Sequence, residues 1–300
     1  MSEGNKKPLL ICFPGSGGRF GRDLKSLLVS TFTKFFEVRL LEAGDGTPYP
    51  GKKLWLYMQN PGKHLEVSNG PDGVPNPVEY IRASFEECGN DGRDYYLFGT
   101  SYGCRVVACL LAGGDKYFSS EEGVGQSPKG AIMFGYPLYK KPDNDKAASL
   151  ALTIPAGTRI LFLSGSQDKT YLGLGSTTGA PELLPTKGLT GGELLRTFVS
   201  TMPCSSTATV VMTPSRHDIT DTKVADRVPA LRIATNSVLD FVEESAGLQA
   251  GSLGRREGFP FEEDEDARDT DRDEEKDGDL LVSERTSKSK RKRQAEPCEN

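Results

Sequence analysis

YYLFGTSYGCRVVACLL, residues 95–111, is the stretch whose reading decides the fold. Aromatic and aliphatic residues lead straight into Gly99-Thr100-Ser101-Tyr102-Gly103, and an apolar run follows without a break. The first run has the length of a buried strand over Tyr95–Phe98, and the second that of a helix over Tyr102–Leu111. A G-x-S-x-G joining strand to helix is the sharp turn that pushes a serine Oγ out over the end of a sheet. Glycine is needed at both ends of the turn, because a side chain at either would strike the neighbouring strand or helix. With 34 glycines in the chain the pentapeptide alone says little, and its setting carries the weight.

Working outward from that turn, similar apolar clusters recur at strand-like spacing. Leu9–Phe13, Val38–Leu41, Ala131–Phe134, Arg159–Ser164 and Ala208–Thr213 read as further strands. Helical spacing is carried by Arg22–Phe35 through Leu24, Leu27, Leu28 and Phe32, and by Val78–Cys88, Gly192–Met202 and Lys223–Glu244. Alternation of this kind predicts an α/β fold, a doubly wound and mostly parallel sheet of about six strands. The Gly/Pro-punctuated segment Gly44–Pro77, which holds the single Trp55, is too long for a plain connection and reads as a wall or lid.

Composition bounds the function. The 300-residue chain is 36% hydrophobic with a formal net charge of −5, enough for one large core. No basic stripe with interleaved aromatics occurs in the globular part, which argues against direct nucleic-acid binding by the domain. The N-terminus lacks an apolar leader, and no run reaches the ~18 apolar residues of a membrane span. Cys12, Cys88, Cys104, Cys109, Cys204 and Cys298 form no C-x-x-C pair, which fits reduced thiols in a cytoplasmic or nuclear compartment. Two histidines and scattered cysteines give no metal-ligand spacing, so no metal and no cofactor is expected. Apolar residues thin out after residue 246, an acidic stretch runs from Glu262 to Asp279, and KSKRKR occupies 288–293. The domain is therefore set at 1–246 and a disordered tail at 247–300.

A serine hydroxyl needs a base to take its proton and an acid to orient that base. Of the two histidines, His64 precedes Ser101, whereas His217 follows the last strand in VVMTPSRHDI. The order for this kind of turn is nucleophile, acid, histidine, so only His217 fits. Asp168 ends RILFLSGSQD, just past a strand, where open α/β sheets build their sites. Ser101, Asp168 and His217 are thus the candidate catalytic residues. An oxyanion needs two N–H donors. One is the Tyr102 amide at the helix start. The other is assigned to the turn PGSGG, Pro14–Gly18, most naturally to the Ser16 amide, with Gly15 and Gly17 as alternatives. The same turn has a rival reading as a dinucleotide loop with Glu42 at the next strand end, but G-x-G-x-x-G requires glycine where Phe20 stands.

Four segments together resemble a known group over residues 8–246. This is the dienelactone-hydrolase-like α/β-hydrolase-fold family typified by the third regulatory subunit of the nuclear NSL histone acetyltransferase complex and a testis-expressed relative. PGSGG resembles its oxyanion turn, GTSYGCRV its elbow including Arg105, GYPLYKKP (135–142) its GYPL segment, and LFLSGSQD with RHDI its acid and histidine segments. The resemblance implies a minimal α/β-hydrolase fold with Ser101 as nucleophile, Asp168 as acid and His217 as base. The chain departs from the pattern at Pro14, Tyr102 and Arg216, and in the Gly-rich insertion Leu172–Gly192, which reads equally as part of a substrate entrance or as surface loop. A cation at Arg216 would lower the basicity of His217 if it pointed inward.

Two functions follow as expectations. The first is a serine hydrolase that cleaves a small-molecule ester or thioester through an acyl-enzyme on Ser101. The second is a weakly active or non-catalytic interaction module in a nuclear or chromatin complex, with the tail meeting protein partners and KSKRKR serving as a nuclear signal.

Overall fold

The computed structural model describes residues 6–15, 18–41, 77–89, 92–119, 124–137, 151–168, 191–217, 219 and 222–253. Ser16, most of the Gly44–Pro77 segment, nearly all of the 172–192 insertion and the tail from residue 254 lie outside them.

The chain opens with β1 (Leu9–Phe13), then α1 (Arg22–Ser26), β2 (Glu37–Leu40), α2 (Pro77–Glu87), β3 (Tyr95–Thr100) and α3 (Gly103–Gly113). It continues with the short α4 (Asp115–Phe118), β4 (Gly130–Phe134), β5 (Ile160–Gly165), α5 (Gly191–Ser200), β6 (Ala208–Thr213) and α6 (Val224–Ser245). The strands form one sheet of six in the order β2-β1-β3-β4-β5-β6, and every pairing is parallel. Each predicted strand is present, within a residue or two of its expected bounds.

The interior strands explain the continuous apolar runs. Every residue of β1, β4 and β5 is buried, and so are the first five of β3, whereas the outer strands β2 and β6 are mostly half-buried. A parallel strand covered on both faces has no polar side, so its sequence cannot alternate. Successive tyrosines of β3 show the two faces. Tyr95 meets Phe85 of α2 edge-on at 5.0 Å, and Tyr96 meets Phe36 at 6.1 Å and Phe241 of α6 at 6.4 Å. Helices α2, α3 and α5 belong to the core with Leu9, Ile11, Tyr95 and Leu97. Each fully buried Leu or Phe in such a layer contributes about 1.5–3 kcal/mol relative to an exposed one.

The single helix expected over Arg22–Phe35 is divided. After Ser26 the backbone widens into one π turn, in which the Phe32 N–H reaches back to the Leu27 carbonyl, and then tightens into a 3-10 turn over Phe32–Lys34. Changing the pitch keeps Leu24, Leu27, Leu28 and Phe32 all on the buried side.

From β1 the chain goes first to β2 on one side and then to β3 on the other. The sheet therefore has its switch point between the C-terminal ends of β1 and β3, where open α/β sheets form their crevice. The turn after β1 and the G-x-S-x-G turn after β3 face each other there. This strand order, with the serine turn at its switch point, is the α/β-hydrolase fold.

Candidate active site

Each glycine of the serine turn is required by contact. A methyl group at Gly103 would lie 2.2 Å from the Phe13 carbonyl oxygen and 2.7 Å from that of Pro14, so α3 starts directly against the end of β1. One at Gly99 would lie 2.7 Å from the Cys104 nitrogen. Between them Ser101 adopts φ 49°, and no other described residue except glycine has positive φ. That conformation costs a side-chain-bearing residue roughly 1–2 kcal/mol. The Ser101 N–H donates to the Phe134 carbonyl at 2.9 Å and its carbonyl accepts from the Cys104 N–H at 3.1 Å, which holds the turn between β4 and α3.

Tyr102 precedes the first residue of α3, so its N–H is among those a helix leaves without an intrahelical acceptor. It is aimed with the positive end of the helix dipole. The Arg105 guanidinium, itself buried, sits 4.3 Å above the Tyr102 ring and holds it by a cation–π contact. Gly15 approaches from β1. A methyl group there would stand 3.6 Å from the Ser101 Cβ, and the Gly18 N–H donates back to the Gly15 carbonyl at 3.0 Å, folding the turn beside the serine.

Asp168 and His217 come from the ends of β5 and β6 and complete the cluster. His217 Nδ1 lies 2.7 Å from Asp168 Oδ2, and His217 Nε2 lies 2.8 Å from Ser101 Oγ. A carboxylate only accepts, so Nδ1 carries the proton and donates it, and the bare Nε2 accepts from the Ser101 hydroxyl. Asp168 is fully buried, while the His217 side chain keeps 30% of its surface exposed. The acid is sealed under the base, and the base faces the solvent side of the sheet edge. The arrangement can move a proton from Oγ to the ring with the carboxylate steadying the charge.

Two further glycines make room for this. Gly135, at φ 63°, lies under the imidazole, and a methyl group there would come within 3.3 Å of Cε1 and 3.4 Å of Nδ1. At Gly165 one would overlap the carbonyl oxygens of Arg216 and Ser215 at 2.2 and 2.3 Å, so the loop carrying His217 crosses directly over the end of β5. In the sequence the GYPL segment stands out only by its resemblance. A glycine immediately after a buried strand, where a left-handed turn ends the strand, was the available signal. Arg216 is exposed.

Ser16 and Gly17 fall outside the described residues, as does His64. Burial pushes the thiols of Cys12 and Cys104 well up, and that of Cys109 to about 12. Those thiols therefore sit in the core as protonated, apolar groups. Among the described residues no helix is long and apolar enough to cross a membrane, and no group of three or more His, Cys, Asp or Glu is placed to hold a metal.

No family model and no curated protein matches this chain. Solved structures similar to it include Est1E from Butyrivibrio proteoclasticus with ferulic acid bound, 13% identical over 82% of this chain and 92% of that one, with a TM-score of 0.49. A monoacylglycerol lipase from Paleococcus ferrophilus is 12% identical over 78% and 96% of the two chains, with a TM-score of 0.43. A truncated carbohydrate esterase from gut microbiota is 12% identical over 82% and 88%, with a TM-score of 0.43. Identities this low speak at most to the arrangement of the backbone, and the fold assignment rests on this chain's own strand order and serine turn.

Proposed function

We propose that this chain is a serine hydrolase that cleaves a small ester or thioester through an acyl-enzyme on Ser101. The observation that carries the reading is the His217 ring bridging Ser101 and Asp168 at 2.8 and 2.7 Å. In the first half-reaction Ser101 Oγ attacks the acyl carbon as its proton passes to His217 Nε2, and Asp168 stabilises the imidazolium. Negative charge on the carbonyl oxygen is met by the Tyr102 N–H and by a second N–H from the turn after β1, for which Ser16 is the leading candidate. Loss of one such donor typically costs about 3–4 kcal/mol of transition-state stabilisation. Collapse breaks the bond to the leaving alcohol or thiol, which takes the proton from Nε2. Water then repeats the sequence on the acyl-enzyme, releasing the acid and restoring Ser101.

The PGSGG, GTSYGCRV and GYPL segments, which resemble those of the NSL-subunit-like family, agree with Ser101 as nucleophile, Asp168 as acid and His217 as base. Turnover across a panel of short-chain to medium-chain nitrophenyl esters and acyl thioesters tests it. Hydrolysis by the wild type that is lost in Ser101→Ala is expected, and equal rates in both proteins would refute it.

The basic KSKRKR and the acidic stretch before it favour a second reading, an interaction module of a nuclear complex. Its test is deletion of residues 250–300, which in that case changes both the localisation and the co-purifying proteins.

A further inference from the structure

We propose that buried hydroxyls behind the cluster, those of Thr213, Ser215 and Thr222, act as a positioning device that sets the register of His217 against Asp168. Thr213, Ser215 and Thr222 are all buried, as is Ser164 beside them. Thr213 Oγ1 and Ser215 Oγ are 2.7 Å apart and share one hydrogen bond. Two hydroxyls bring two protons, so one remains. It goes either from Thr213 to the Ser164 carbonyl at 3.3 Å or from Ser215 to the Arg216 carbonyl at 3.1 Å.

Arg216 is held from both sides by this chain. Its N–H donates to Thr222 Oγ1 at 3.0 Å, and its carbonyl belongs to the peptide that leads into His217. Gly165 lets that carbonyl rest directly on the end of β5. Arg227 of α6 donates from Nε to the Thr222 carbonyl at 3.1 Å, which seats the far end of the loop on a helix.

The acid loop hangs from the same residues. The Ser166 N–H donates to the Thr213 carbonyl at 2.8 Å, and the Gln167 N–H donates to the Ser215 carbonyl at 2.9 Å. The Asp168 N–H closes the loop on the Gly165 carbonyl at 3.1 Å. Acid and base therefore share one set of backbone anchors, and the hydroxyls brace it from inside, where an unmade hydrogen bond is expensive. Rigid support of this kind matters because a shift of about 1 Å in a reacting group can cost 10²-fold in rate.

This inference rests on the hydrolase reading for its kinetic consequence but not for its geometry, so two readouts are used on the full chain. Thr222→Val keeps the shape and removes the acceptor, and Thr222→Ser restores the oxygen. In ester turnover Thr222→Val is expected to lower kcat about 10-fold to 100-fold with KM within about twofold, and Thr222→Ser to recover most of the loss. The second readout is the low-field proton resonance of the imidazole N–H bonded to Asp168. It should be present in wild type and Thr222→Ser, and lost or broadened in folded Thr222→Val and in Ser215→Ala. A wild type that hydrolyses nothing overturns the proposed function while leaving the resonance to decide the positioning role. A folded Thr222→Val with that resonance intact overturns the positioning role, as does a loss in Thr222→Val that Thr222→Ser does not recover.

Discussion

Gly135 and His217 are in direct contact: the backbone that leaves β4 at φ 63° passes under the imidazole so closely that a methyl group would stand 3.2 Å from the His217 carbonyl oxygen and 3.3 Å from Cε1. Gly135→Ala must therefore move the ring by a few tenths of an ångström and also bear a left-handed alanine, a strain of roughly 1–2 kcal/mol. We expect a drop of about 10-fold or more in kcat/KM together with a lowered Tm. Unchanged turnover in a folded Gly135→Ala would show that the ring does not depend on this contact.

The three bridged side chains should fail as a unit. Ser101→Ala and His217→Ala each remove the proton path, and Asp168→Asn leaves Nδ1 facing an amide that can present a donor. By comparison with other triads, Asp168→Asn is expected to lower kcat by about 10⁴. A double variant of Ser101 and His217 should be scarcely worse than either single one, because each change already disables the same step. Steady-state kinetics on one ester of the panel checks both points.

Gly103→Ala separates steric necessity from conformational preference. Its methyl group would overlap backbone oxygens at 2.2 and 2.7 Å, and the start of α3, set directly against the end of β1, cannot step aside. Gly89, at φ 85° with nothing within 4 Å of a methyl group, is the matched control. Denaturant titration should give a loss of about 3 kcal/mol or more for Gly103→Ala, and about 1 kcal/mol for Gly89→Ala. Equal losses would mean that the serine turn is not pressed against the first strand.

Base should unfold the protein before its core tyrosines ionise. Burial raises the Tyr96 hydroxyl to about 12, helped by the charge of Asp94, and raises those of Tyr95 and Tyr136 further. The folded state holds these protons more tightly than the unfolded chain, so their stabilising effect is complete below about pH 10 and falls away as pH climbs towards 12. Phenolate absorbance followed together with circular dichroism should show a late group of tyrosines titrating only as structure is lost. Ionisation of all ten near pH 10 with the fold intact would contradict their burial.

The sheet was legible in the sequence because strands buried on both faces appear as uninterrupted apolar runs. Leu9–Phe13 matches to the residue, and so does the half-buried outer strand Ala208–Thr213, which its β-branched residues mark. Ser101, Asp168 and His217 could be picked out because the fold imposes a chain order and places each residue just past a strand. What stayed hidden lacks a periodic trace. The change of pitch after Ser26 follows from fitting Leu27 and Phe32 to one surface. Asp115–Phe118, at four residues, is scarcely more than one helical turn and too short to show a repeat. Gly135 matters only through its contact with His217, far away in the chain, and the bonds of Ser215 and Thr222 to Thr213 and Arg216 lie in an irregular loop, which no periodic pattern encodes.

The central claim, that Ser101 is a nucleophile activated by His217, is tested most directly by locating the adduct of a fluorophosphonate. Peptide mass spectrometry of the labelled wild type should place a single phosphonyl group on Ser101, with labelling at least about 10³-fold slower in His217→Ala. An unlabelled wild type, or a label carried on another residue at an undiminished rate, would contradict it.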